Sequence, residues 1–215
     1  DFEGRTLAAP DFDAGRQLFP IFAKATGIDE STIEWISVKP ELREPMLMQG
    51  RADGITGFVT STGPSLVRLG MPFEDQRTFA YKDYGVELYS SSILTTRAFL
   101  EENPEAVATV VECMIKGVVM AEADPDAAMQ ALKAHEPLTD VETEKGRWMI
   151  TVNEMLRTED VLEHGISHVD MDRLQRTIRA VEDAYDIPNA LAAEALYTPD
   201  FLPPQEARML EPRTN

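Results

Sequence analysis

The first 85 residues alternate short apolar runs with amphipathic segments. Thr6-Leu7-Ala8-Ala9 reads as a strand and Pro10 to Asp13 as a turn. Ala14 to Thr26 reads as a helix, with Asp13 as its N-cap and Gly27 at its end. Pro20 inside that segment predicts a kink or a restart, because proline lacks the amide proton and its ring clashes with the preceding turn. Ile33 to Val38 is the next predicted strand, after which Pro40 opens a short helix, Glu41 to Gln49, closed by Gly50. Gly54 to Val59 reads as a third strand, Ser65 to Leu69 as a brief helix and Thr78 to Tyr81 as a fourth strand. Strands alternating with helices over short connections predict an α/β unit with a mostly parallel sheet flanked by helices.

Beyond an extended stretch, Leu88 to Thr95, the pattern turns helical. Pro104 starts a helix to about Ala123 with apolar residues at Val107, Val110, Val111, Met114, Ile115, Val118 and Val119, a wide stripe expected to face a core. Asp124 and Pro125 read as the N-cap and first position of a helix to about Ala134. Val141 to Leu156 and Asp170 to Tyr185 follow, and the Pro-rich tail Tyr197 to Pro204 is expected to cross the surface. Neither an internal repeat nor a low-complexity segment interrupts this order.

Charge narrows the function classes. Twenty Lys and Arg against 38 Asp and Glu give a net charge of −18, which repels nucleic-acid phosphates and anionic lipid. No apolar run approaches the ~20 residues that span a bilayer. Cys113, the single cysteine, can form neither an intramolecular disulfide nor a cysteine-based zinc site, and its place beside the apolar stripe predicts a packed, inert thiol.

In an open parallel sheet, ligands bind where the loops leave the carboxyl ends of the strands, because helix N-termini and free amides point there. That rule selects Pro10 to Arg16, Val38 to Pro40, Gly57 to Gly63 and Tyr81 to Gly85. Asp13, Ala14, Gly15 and Arg16 offer a helix N-terminus and a guanidinium, although a packing glycine and a solvated arginine fit the same residues. Thr56, Gly57, Phe58 and Ser61 combine hydroxyls with an aromatic and suit a small polar ligand, or ordinary loop chemistry. Asp83, Tyr84 and Gly85 offer an acid and a ring face, or simply the edge of a core.

Catalytic signals are weak. His164-Gly165-Ile166-Ser167-His168 has metal-like spacing, but Gly165 interrupts a helix, and a pair of surface histidines is the reading preferred. His135 reads as a residue near a helix C-terminus. With no P-loop, nucleophile elbow or dinucleotide fingerprint, the sequence predicts no catalytic residue, no metal and no cofactor.

Several motifs occur in a characteristic order: Gly4-Arg5-Thr6-Leu7-Ala8-Ala9-Pro10, Asp13-Ala14-Gly15-Arg16, Gln49-Gly50-Arg51-Ala52-Asp53-Gly54-Ile55, Asp83-Tyr84-Gly85-Val86 and Phe99-Leu100-Glu101-Glu102-Asn103-Pro104-Glu105-Ala106-Val107. Together with Leu196-Tyr197-Thr198-Pro199-Asp200-Phe201-Leu202-Pro203, they resemble the nitrate/taurine/sulfonate and thiamine-pyrimidine-precursor solute-binding proteins of ABC importers. The resemblance implies a two-lobed, type II periplasmic-binding-protein-like α/β fold. In that frame residues 1–87 form lobe two, residues 88–96 cross a hinge, and residues 97–215 return as helices to lobe one, whose leading strands and signal peptide precede this chain. Lobe-one helices without those strands would expose apolar faces, inviting homo-oligomers or domain exchange.

The function implied is capture of a small organic solute and its delivery to permease subunits, without catalysis, in the periplasm or on a lipid anchor outside the cytoplasm. The same fold also serves enzymes that make the thiamine pyrimidine, through a cysteine-rich iron motif that this chain lacks, and effector domains of transcription regulators. The ring-bearing loops lean toward a pyrimidine and Arg16 toward an anion such as nitrate or a sulfonate.

Overall fold

The structure, a computed structural model, describes residues 2–89, 91–188 and 191–212. In chain order the strands are β1 (Thr6–Ala9), β2 (Glu34–Ser37) and β3 (Gly54–Ile55). The helices are α1 (Ala14–Gln17), α2 (Phe19–Thr26), α3 (Arg43–Met48), α4 (Val59–Arg68), α5 (Arg97–Glu102), α6 (Pro104–Ala123), α7 (Pro125–His135), α8 (Val141–Thr151), α9 (Glu159–His164) and α10 (Met171–Ala184). The chain is therefore α/β, with a small parallel sheet and many helices. It divides into two compact units, one of Asp1–Tyr89 with Arg173–Leu191, the other of Ser90–Asp172 with Ala192–Asn215.

In the first unit the sheet order is β2-β1-β3, all parallel, with Leu7 opposite Trp35 and Gly54, and Ala8 opposite Ile36 and Ile55. Because successive strand residues point to opposite faces, the pairing register sorts the core into two layers. Leu7 and Trp35 join Phe19, Phe22, Ala23 and Ile33 on the α2 face, while Ala8, Ile36 and Ile55 meet Met46 and Ala52 on the α3 face. The small side chains of Ala8 and Ala9, both fully buried, let the central strand lie close beneath its covering layers.

The α2 layer is aromatic. Phe22 stacks on Tyr81 at 4.7 Å between centroids and meets Phe2, Phe19 and Tyr84 at edge or tilted angles. The predicted helix over Ala14 to Thr26 is two helices that break at Leu18, since Pro20 fits the first turn of α2 but not the interior of a continuous helix. Gly27 closes α2 in the left-handed region at φ 71°. Helix α10 belongs with this unit: Arg173 reaches the carbonyls of Glu87 and Leu88, and the Tyr185 hydroxyl donates to the Gln17 carbonyl.

Two expectations for the first unit need correction. The third strand ends at Ile55, and residues 59–68 form α4, so the helix starts well before Ser65. Thr78 to Tyr81 is not a strand: Phe79 and Tyr81 bury their rings in the aromatic layer, and Tyr81–Tyr84 is a 3-10 turn closed by Gly85 at φ 81°. The described residues of the stretch 88–96 carry no regular structure, and Ser90, in the expected hinge, lies outside the described residues.

In the second unit α6 has the predicted bounds, but its buried side is narrower than the predicted stripe. Val111 and Ile115 pack with Ile166 and Leu210, flanked by Val107, Val118 and Val119, whereas Val110 and Met114 stay exposed. Those two lie on the flank of a surface covered only along the line 107, 111, 115, 118. Cys113 is exposed rather than packed, because it lies off that line. Glu122, buried, accepts from Arg157 Nε at 2.8 Å, and Trp148 Nε1 donates to the Ala121 carbonyl, which ties α6 to α8 and the turn after it. Among the described residues no helix is long and apolar enough to cross a membrane.

The two tryptophans report on different units, Trp35 on the first and Trp148 on the second. In a Trp148→Phe background, Phe22→Ala is expected to lower the stability read by Trp35 fluorescence in urea by about 3–5 kcal/mol, the usual cost of emptying a buried phenylalanine site. A loss under about 1 kcal/mol would show that the aromatic layer does not hold the unit together.

Candidate functional site

The carboxyl ends of the three parallel strands lie at one edge of the sheet, and the loops that leave them converge on Asp13. As N-cap of α1, Asp13 accepts the Arg16 amide on Oδ1 at 3.0 Å. The same oxygen accepts the Thr56 hydroxyl, which follows β3, at 2.6 Å. Its Oδ2 accepts Arg43 Nη1, at the start of α3, at 3.2 Å. Only 8% of the Asp13 side chain is exposed, so these donors replace the water a carboxylate otherwise needs. Arg43 continues the network, donating through Nε and Nη2 to Glu44, itself buried.

Arg16 is occupied as well. Its Nη1 donates to the Ala9 carbonyl at the end of β1, to Ser37 Oγ at the end of β2 and to Asp11 at 2.7 Å. Its guanidinium also lies 5.1 Å from the Trp35 ring centroid. Ser37 donates to Asp11 in turn. Both guanidinium groups at the strand ends are therefore neutralised internally, by three carboxylates.

Two close approaches depend on glycine. A Cβ on Gly15 would lie 2.9 Å from Thr56 Cβ and 3.3 Å from the Gly57 amide nitrogen. A Cβ on Gly57 would lie 2.7 Å from Arg43 Nη1 and would also meet Thr62 Oγ1. The N-terminal turns of α1 and α4 are thus brought side by side. The amides of Ala14 and Gly15 in α1, and of Val59 and Thr60 in α4, have no acceptor among the described residues, and α4 starts at Phe58 without a side-chain cap. Beneath Gly57, Thr62 Oγ1 is buried with no hydrogen-bond partner.

The structure thus gathers Asp13, Ala14, Gly15, Arg16, Thr56 and Gly57 at one edge of the sheet. Phe58 follows, with its ring about half exposed, and Ser61 Oγ turns back to the Phe58 carbonyl at 3.2 Å. The segment Asp83-Tyr84-Gly85 is separate from that network: the Tyr84 ring sits on Phe22 and Phe79, and the Asp83 carboxylate is exposed. What links its turn to the strand ends is Tyr81, whose hydroxyl donates to the Gly15 carbonyl at 2.6 Å. Burial first, and the Asp13 carboxylate second, push the Tyr81 phenol far above its ordinary range, so it stays a donor. Sequence reasoning did not select Arg43, Thr62 or Tyr81 as site residues. Thr62 and Tyr81 lay in segments chosen by the strand-end rule, but Arg43 carries no local signal.

A shallow, open depression of ≈ 630 Å³ elsewhere on this unit, lined by Lys24, Arg179, Glu182 and Asp183 among others, contains none of these residues.

Comparison with known proteins bears on the same half of the chain. The family model described as "NMT1/THI5 like" matches residues 1–128. Over 138 residues the chain is 27% identical to the formylaminopyrimidine-binding protein of Halalkalibacterium halodurans, an alignment that covers 63% of this chain and 41% of that relative. The matched part thus spans less than half the length of the relative.

Asp13→Ala removes the acceptor of three donors and leaves Arg43 with one carboxylate. The expected cost to the first unit is about 1–3 kcal/mol, read by Trp35 fluorescence in urea, because the Arg16 amide, the Thr56 hydroxyl and Arg43 Nη1 lose their buried acceptor while Arg43 keeps Glu44. A change below about 1 kcal/mol would mean that the strand ends do not depend on this network.

Proposed function

Because the chain belongs to the NMT1/THI5-like family, we propose that it binds a small, neutral or weakly basic heteroaromatic solute of the aminopyrimidine kind at the strand ends of its first unit. The observation that carries the reading is the convergence of two helix N-termini, with four unpaired amides, around a buried and unpartnered Thr62 hydroxyl. Ring nitrogens and a formyl oxygen accept hydrogen bonds, which suits those amides, and a half-exposed Phe58 offers a face for a planar ring. Charge argues in the same direction. Three carboxylates already match the guanidinium groups of Arg16 and Arg43, so neither is free for nitrate, taurine or an alkanesulfonate. The name of the relative supports a pyrimidine as the solute class.

In this reading Asp13, Arg16 and Arg43 position the loops, while Ala14, Gly15, Gly57, Phe58 and the first turn of α4 touch the solute. Tyr84, with Asp83 and Gly85, contributes an outer ring face. The binding is not followed by chemistry: the mechanism is hinge closure of two lobes, with residues 88–96 as the crossover, and recognition of the closed form by the permease of an ABC importer. The place of work is outside the cytoplasmic membrane.

Calorimetry of the chain with a formylaminopyrimidine, taurine and nitrate tests this. The pyrimidine alone is expected to bind, and at ~100 times its Kd it should add about 2.7 kcal/mol of stability. Thr62→Val is expected to keep or raise the stability of the free protein and to weaken pyrimidine binding by about 1 kcal/mol, roughly fivefold. Binding of taurine or nitrate with no response to the pyrimidine would overturn the solute class.

A further inference from the structure

In the second unit α9 carries Asp160 and His164 four residues apart, which puts both side chains on one face, one turn above the other. The chain then reverses through Gly165 at φ 86° and Ser167 at φ 64°, and His168 returns over that same face. The two imidazole centroids are 4.3 Å apart, and His168 Nδ1 is 2.8 Å from Asp160 Oδ1. One ligating atom from each of Asp160, His164 and His168 lies within 4.8 Å of the other two. The interruption at Gly165, which argues in the sequence against a metal pair, is what brings the second histidine back.

The turn is firmly held. Ile166 is buried against Val111, Ile115 and Leu210. Its amide donates to the Arg208 carbonyl at 2.9 Å, and Arg208 Nη1 donates to the Ile166 carbonyl at 2.6 Å. A Cβ on Gly165 would meet Arg208 Cβ at 3.1 Å, and the Tyr197 hydroxyl donates to the Ser167 carbonyl at 3.0 Å. A serine kept in the left-handed region needs such anchoring, and the anchoring fixes where His168 can point. All three side chains remain about one-third to two-fifths exposed, so an ion from solvent can reach them.

We propose that Asp160, His164 and His168 form a binding site for a divalent transition-metal ion of the zinc class. Two imidazoles and one carboxylate are the donor set such ions prefer, and three protein ligands leave a fourth position for water. Calcium and magnesium are disfavoured, since they require oxygen-rich shells. Ligand atoms around an ion with bonds of ~2.0–2.1 Å lie closer together than in the structure, so side-chain rotation completes the site while the anchored backbone stays in place. A bound ion would bridge α9 to the turn at 165–168 and thereby clamp the segment that Arg208 and Leu210 pack against.

Zinc titration of the metal-stripped chain, followed by calorimetry and by the histidine ring resonances in NMR, tests the site. The expected result is saturable binding of one equivalent, with shifts at His164 and His168 and none at His135, the third histidine. Cobalt should give the visible absorption of a low-coordinate site. His164→Ala and His168→Ala should each weaken zinc roughly tenfold or more, and Asp160→Asn should also weaken it. His135→Ala and Cys113→Ser should leave zinc binding unchanged. Absence of saturable binding, or equal affinity in the His164→Ala/His168→Ala double variant, would overturn the proposal. Ring shifts read in the unsubstituted protein keep the test valid should a substitution disturb folding.

Discussion

A carboxylate buried as deeply as Asp13 must be saturated with donors, and those that saturate it come from distant parts of the chain. The Arg16 amide follows β1, the Thr56 hydroxyl follows β3, and the Arg43 guanidinium sits at the head of α3. One residue thereby fixes how three loops leave the sheet. Arg16 adds the end of β2 through Ser37. The network leaves the site with little free charge, and what it presents is backbone: unpaired amides at two helix starts held together by Gly15 and Gly57.

Much of the fold was legible because its signals are local. β1 and α6 carry their own boundaries, in the short run Thr6-Leu7-Ala8-Ala9 and in Pro104 and Asp124, and Pro20 announced the break between α1 and α2. The errors arise where tertiary partners override local preference. Thr78 to Tyr81 has the composition of a strand, but its rings gain more from the Phe22 layer than from a ladder. The third strand stops at Ile55 because Thr56 turns its hydroxyl to Asp13. Cys113 and Val110 were assigned to a core whose actual width depends on which elements cover α6.

The candidate site was legible as a cluster of strand-end loops and less so in the roles of its side chains. The strand-end rule, which rests on topology alone, selected Asp13, Gly15, Arg16 and Gly57, and the structure gathers them with Thr56 at the strand ends. It cast Arg16 as an anion contact, whereas the structure employs that guanidinium to bind Asp11, Ser37 and the Ala9 carbonyl. Arg43 was beyond reach because nothing in its neighbourhood announces a partner thirty residues away. The histidine pair shows a similar limit: its ligand geometry depends on a reversal at Gly165 and Ser167 that spacing alone does not encode.

In the proposed reading a pyrimidine is held by the amides at the starts of α1 and α4. Hydrogen–deuterium exchange, followed residue by residue with and without a formylaminopyrimidine, tests it most directly. Slowed exchange at Ala14, Gly15, Val59 and Thr60 is expected on saturation, with Ile115 in the second unit unchanged. Protection confined to other segments, with those four amides exchanging as fast as in the free protein, would contradict it.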